Sequence, residues 1–564
     1  MDGQQSGSSF TDAVIVGNGP SALILSYILH GNIPYYNLDS PHPDPILHAK
    51  LRDATELLRL DVARLTNHFE ASRFSYSTQS LPINSLVDSL VRPFGETDDR
   101  ESASCVSWHH DPQRAVPHLC LGDALQPGGQ WTECPPGTTW DIQSLSYAGM
   151  LSLPGYSFYD HYYDTHGVHM PSYTRPSRQA IAEYLAAYPA AVGIGNSIQN
   201  GQLVSGVART DDGFYIASHR IHCKHLVLAS GIFTEVKPAR PLLQPLLSLP
   251  APPDVSTTEK APLLVIGSGF SAADIIISAP RDQKIIHIFK WEPETNPSPL
   301  RSCHQQAYPE YAGIYKLMKR STLAKFTTSK PNKRNKSSLS PFLTLVTRDW
   351  DHIYEALPNT LVVDVEIDGT EGIVTFRCSD GSTITRRVSG LSYAVGRKGS
   401  LAYLDHMLQR EILGAGFDQS QDASIAKDTL KSAAMNDLEV ANGVFIIGSL
   451  TSDSLIRYAY GGCIYAAGKL MERYAQRQVH PTPCDGPVDH TVPGQPQPDL
   501  PTTPSPNTPM NILNHTKFNN NKSSNTVPSE LRMHRVSSDL KLGSKSDRFG
   551  SRRQRPWWAF IFSS

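Results

Sequence analysis

The chain is poor in the features that mark several common protein classes. Its eight cysteines (105, 120, 134, 223, 303, 378, 463 and 484) are scattered, with no C-x-x-C and no close pair. That excludes a zinc ribbon and a small disulfide scaffold, and fits a reducing intracellular compartment. Net charge is almost absent, a formal −2 over 564 residues. A whole-chain polyanion binder needs a concentrated positive field, so no nucleic-acid partner is expected. Long apolar runs are missing too. The longest, LLVIGSGFSAADIIISA from Leu263, contains Asp274 and two glycines, which makes it a poor membrane span and a good buried strand–turn–helix. The opening MDGQQSGSSF has neither the basic and apolar regions of a secretory signal nor the arginines of a transit peptide. A cytoplasmic protein is expected.

Charged residues (18%) and hydrophobic residues (39%) are also scarce, against about 25% and about 45–50% for an average globular chain. Part of this deficit is local. Ten of the 43 prolines fall between His480 and Met510, in a Pro/Ser/Asn/Thr-rich stretch that cannot bury enough apolar surface to fold alone. The expectation is a disordered lead over 1–11, a folded body, and a disordered tail over 476–564.

Within the body, DAVIVGNGPSALILSYILHG from Asp12 and APLLVIGSGFSAADIIISAP from Ala261 each read as strand, glycine turn and helix. Gly17, Gly19, Pro20, Ser21 and Ala22 form the first G-x-G-x-x-G/A turn, and Gly267, Gly269, Ser271 and Ala272 the second. The first glycine of such a turn permits the tight bend, and the second lets the backbone approach a pyrophosphate. The small last residue allows close helix–sheet packing, and the helix start offers free N–H groups to the anion. Two such units predict an α/β protein with two Rossmann-like dinucleotide-binding domains, one for a flavin dinucleotide and one for a nicotinamide dinucleotide. The boundaries expected are 12–255 and 396–475 for a discontinuous FAD-binding domain and 256–395 for an inserted NADPH-binding domain.

A ribose-binding acid is expected some 20 residues beyond each turn. Asp39 stands near that distance from the first. After the second, the strand IIHIF ends in Lys290; a cation there favours the 2′-phosphate and hence NADPH, although a solvated lysine at a strand end reads equally well. Gly129 and Trp131, in PGGQW, offer a close-approaching loop and a flat face for an isoalloxazine. Asp453 is placed to accept from ribityl hydroxyls, and the helix start near Gly462 to favour negative charge on a reduced flavin.

The set GNGPSA (17–22), SPHPDPIL (40–47), AVPHLCLGDALQPGGQW (115–131), IGSGFSAAD (266–274), AYPEYAGIYKLM (307–318) and GSLTSDSLIRYAYGGC (448–463) resembles the oxidative stress-induced growth inhibitor family, a branch of flavin-containing-monooxygenase-like proteins. The resemblance covers roughly residues 12–475 and leaves the tail unmatched. It implies FAD at Gly17, Gly19, Ser21, Gly129, Trp131 and Asp453, NADPH at Gly267, Gly269 and Ala272, and a link to stress response, growth restraint and cell division. The chain departs from the pattern in three places. Ala22 replaces the familiar glycine, FKW (289–291) stands where paired arginines belong, and Ser452-Asp453 stands for a Gly-Asp pair.

The activity implied is an NADPH-dependent monooxygenase acting with oxygen on a small soft nucleophile or carbonyl; a catalytically weak regulator or scaffold on the same fold is the alternative. No general base or nucleophile stands out, so no catalytic residue is named. Flavin disulfide reductases carry a cysteine pair just after the first glycine turn, whereas no cysteine precedes Cys105 here. Two basic segments complete the reading. SKPNKRNK (329–336) reads as a solvated loop or a nuclear import signal. The end of the tail puts Lys and Arg before Trp557, Trp558 and Phe560, a pattern suited to a membrane surface or a protein partner.

Overall fold

In a computed structural model of the chain, the residues described are 8–68, 80–95, 104–249, 261–323, 348–414, 423–426 and 428–479. The tail beyond His480, its basic aromatic end and the 329–336 segment lie outside them.

The sequence DAVIV is buried along its whole length, as a parallel strand covered on both faces requires. It forms the centre of the larger sheet. The strand order is Glu439–Ala441, Val444–Ile446, Ile221–Leu228, Ser9–Val16, His118–Leu121 and Ile198–Gln199. All neighbours are parallel except the first pair. A hairpin of Val207–Thr210 and Gly213–Ile216 adds antiparallel to Ile221–Leu228. Helices Pro20–Leu29 and Ala459–Val479 pack against each other and close this core.

The smaller sheet is parallel throughout, in the order Tyr354–Pro358, Ile285–Phe289, Leu263–Ile266, Gly390–Tyr393. The antiparallel trio Leu361–Asp368, Glu371–Arg377 and Thr383–Val388 lays Val374, Phe376 and Val388 onto Leu264, Ile286 and Ile288. The chain leaves the larger sheet after Leu228, builds the smaller one, and returns at Glu439.

Both ends of the body differ from expectation. The opening strand starts at Ser9, inside the lead assigned to disorder, because Ser9, Phe10 and Thr11 pair with Ile221, His222 and Cys223. The last helix runs to Val479, past the 476 boundary, where Arg477 pairs with Asp12 and bonds the His225 ring. Among the described residues no helix is long and apolar enough to cross a membrane.

Residues 32–115 form an excursion between the first helix and its next parallel strand. The strand Asn32–Tyr36 pairs antiparallel with Val106–His110, apart from the larger sheet. Helix Pro82–Val91 packs on Ala459–Val479 and is tied there by buried Asp88, which accepts from Arg457 Nη2 (2.5 Å) and Arg92 Nη1 (3.2 Å).

Candidate functional site: two glycine turns and their surroundings

The two turns are built alike. Each follows a central parallel strand and opens a helix, Pro20–Leu29 or Phe270–Ser278, whose first residues have no side-chain cap. Gly17 sits at φ +128° and Gly267 at φ +156°. A Cβ on Gly17 would lie 2.5 Å from the Ala229 carbonyl oxygen, and one on Gly267 would overlap the Ala394 carbonyl. Both are therefore closed to side chains by conformation and by a backbone beneath them. Gly19 and Gly269 face the other way into space, where a Cβ would find nothing nearer than 4.0 Å and 3.9 Å. Uncapped N–H groups with free space before them fit a pyrophosphate at each turn. Ala22 is fully buried in the helix–sheet contact, and Ala272 nearly so; Ser271 is exposed.

The PGGQW loop meets the first turn. The Gly128 N–H bonds the Asn18 carbonyl (2.8 Å), and a Cβ on Gly129 would lie 3.0 Å from the Gly19 Cα. Trp131 is half-buried, with the Arg178 guanidinium 5.4 Å from its ring centroid. One ring face therefore already has a partner in Arg178.

Three expectations need correction. Asp39 is exposed and follows the strand that pairs with Val106–His110. It therefore does not stand beside the first turn. The neighbour of the opening strand is His118–Leu121, in register Val16 to Leu121, and the residue after it is Gly122. Asp453 is buried, and its Oδ2 accepts from the Leu81 N–H (2.9 Å) and Asn84 Nδ2 (2.6 Å). The Gly462 N–H is taken by Asn84 Oδ1 at 2.8 Å. Asp453 Oδ2 and the Gly462 amide thus hold the excursion helix to the C-terminal helix, and neither is left for a flavin.

At the second turn, Lys290 is exposed at the end of the strand beside Leu263–Ile266, and its N–H bonds Ser268 Oγ (3.0 Å). Beneath the turn lies His287, which the sequence reading did not single out. Its Nε2 bonds the Gly267 carbonyl and its Nδ1 the Tyr354 hydroxyl, both at 2.7 Å. Burial pushes the ring down to about 4. The neutral ring therefore donates from Nε2 to Gly267 and accepts from Tyr354 at Nδ1.

One helical turn along, Asp274 accepts from the Tyr311 hydroxyl at 2.7 Å. Burial raises its carboxyl to about 6, against the opposing pull of that bond and of Arg178 and Arg175. Arg175 pairs with Glu310 (3.0 Å), lies 5.0 Å from the Tyr308 ring centroid and bonds the Ser144 and Ala307 carbonyls. This bolt joins residues before the smaller sheet to the Pro309–Leu323 helix. The YPEY motif (308–311) was legible in the sequence; its contact with Asp274 was not.

No protein-family profile matches the chain. Oxidative stress-induced growth inhibitor 1 of Mus musculus is 27% identical to it, over 82% of this chain and 96% of that protein. Among solved structures, a flavin-containing monooxygenase from Stenotrophomonas maltophilia aligns with 83% of this chain and 99% of its own, at 12% identity and a TM-score of 0.41. A bacillithiol disulfide reductase from Staphylococcus aureus aligns with 82% of this chain and 99% of its own, at 10% identity and a TM-score of 0.43. The fold assignment rests on the strand order and the twofold glycine-turn construction described above. The resemblance read from the motifs holds: the curated homologues of this chain are named oxidative stress-induced growth inhibitors.

Proposed function

We propose that the chain binds FAD at the first glycine turn and NADPH at the second, and works as a flavin-dependent monooxygenase on a small soft nucleophile or carbonyl. The observation that carries this reading is the repeated pair of uncapped helix starts, each faced by a glycine with free space before it. Bound together, the two dinucleotides would supply hydride transfer and oxygen activation.

The chain's own part is binding and placement. Pro20 and Phe270 open the helices whose N–H groups receive the pyrophosphates, and Gly129 brings its loop against the first. Lys290 offers a cation to a 2′-phosphate. The Arg175–Glu310 pair joins the two halves, and the Asp274–Tyr311 bond holds two helices of the smaller-sheet half together. Disulfide chemistry has no support among the described cysteines. All seven are free thiols, and burial pushes Cys105, Cys120, Cys223 and Cys303 up to about 12, away from the reactive thiolate. The names of the relatives support a link of this proposed activity to oxidative stress and growth restraint; a role in cell division is part of the same proposal.

The engagement of Asp453 and Gly462 by Asn84 favours a second reading, a regulator that keeps the fold with little turnover. Purification separates the two. A yellow protein, or one that gains flavin absorbance on reconstitution, and that consumes NADPH supports the enzyme. A colourless protein that does neither supports the regulator.

A further inference from the structure

The ribose acid of a dinucleotide-binding domain sits at the carboxyl end of the strand beside the glycine-turn strand. In the larger sheet that place belongs to Gly122, next after Leu121, which pairs with Val16. No carboxylate can stand there, because a Cβ on Gly122 would fall on the Asn18 amide. Asn18, the second residue of the first turn, fills the space instead and is 1% exposed. Its Nδ2 donates to the Ala124 carbonyl (2.9 Å) and to Asn200 Oδ1 (2.8 Å), with the Gln126 carbonyl at 3.3 Å. These bonds fix the plane of the amide by its nitrogen, and its Oδ1 accepts none of the chain's hydrogen bonds.

An amide oxygen held in a fixed direction, with no donor from the chain, is a ready acceptor for a ligand hydroxyl. We propose that Asn18 takes the place of the missing acid, its Oδ1 accepting a hydrogen bond from an adenosine ribose hydroxyl of the dinucleotide at the first turn. This rests on the reading of that turn as an FAD site and adds the group that holds the ribose. The acceptor is neutral. The hydroxyl is therefore recognised without a charge, and the Nδ2 bonds to Ala124 and Asn200 hold the oxygen in place before the ligand arrives. Asn18 and Gly122 form one device, since the amide occupies the volume that any side chain at 122 would need.

The test measures dissociation constants of FAD and of FAD lacking the adenosine 2′-hydroxyl, and separately the 3′-hydroxyl, by flavin fluorescence on the full-length protein. The wild type is expected to bind FAD about ten-fold more tightly than one of the two analogues, the worth of one such bond. Asn18→Ala should bind FAD and that analogue with equal, weaker affinity. Asn200→Ala loosens the amide's anchor but keeps the acceptor, so it should weaken both and preserve the ratio. Equal binding of FAD and both analogues by the wild type overturns the assignment even if Asn18→Ala does not fold. A ratio kept in Asn18→Ala also overturns it and leaves Asn18 as a loop brace. A wild type that binds none of the flavins sinks the FAD reading itself, a distinct result.

Discussion

Asp274 is a carboxyl that the fold makes hard to ionise, which gives its replacement a sign and a size. Burial raises it from 3.8 to about 6, and the groups facing it are Tyr311, Arg178, Arg175 and Glu310. In the unfolded chain it is ionised above 3.8, while in the folded protein it keeps its proton up to about 6. Its neutral form therefore supports the fold fully below 3.8, and that support is lost as pH rises to about 6. The interval of about two units corresponds to about 3 kcal/mol of penalty at neutral pH. Asn imitates the protonated form and can still accept from the Tyr311 hydroxyl. Asp274→Asn should therefore match the wild type near pH 4 and exceed it by up to about 3 kcal/mol above pH 7, a rise of about 5 °C in melting temperature. Thermal melts of both proteins from pH 4 to 8 check this. A difference that does not change with pH, or a variant less stable at pH 8, would show that Asp274 carries no ionisation penalty in the fold.

Three further outcomes follow from the geometry. Lys290→Glu should raise the KM for NADPH about ten-fold and leave that for NADH nearly unchanged, since only the former carries a 2′-phosphate; steady-state kinetics with both dinucleotides reads this. His287→Phe leaves the Gly267 carbonyl and the Tyr354 hydroxyl without their shared partner and should weaken NADPH binding about ten-fold at unchanged flavin content, with His287→Gln recovering part of it through a donor to Gly267. Asn84→Ala removes the link between Asp453 and the Gly462 N–H and should cost roughly 2–4 kcal/mol in melts at neutral pH, because it leaves a buried N–H unpaired and a buried carboxylate one bond short.

The strand–turn–helix units were legible because their signal is local. A buried apolar run, a glycine turn and helical spacing all lie within twenty residues. The hairpin at 207–216 and the strands of 361–388 could be read for the same reason, from alternation and turn residues. The site's side chains were less legible because their partners are distant in sequence. Asp39 lies at the customary spacing, yet Asn32–Tyr36 pairs with residues some 75 positions later, and only that pairing removes it from the larger sheet. The cue to the correct neighbour was the apolar HLCLG four residues before the PGGQW loop. Asp453 likewise looked like an open loop carboxylate until helix Pro82–Val91 brought Leu81 and Asn84 to it. His287 gave no sign at all, because a histidine within an apolar strand says nothing about the carbonyl it will meet.

If the two glycine turns hold two dinucleotides, hydride passes between them. Anaerobic addition of NADPH to the FAD-reconstituted protein, followed by flavin absorbance, tests it most directly. NADPH should bleach the flavin band, more slowly at limiting dinucleotide in Lys290→Glu. A flavin that stays oxidised under excess NADPH, or a protein that retains no flavin after reconstitution, would contradict it.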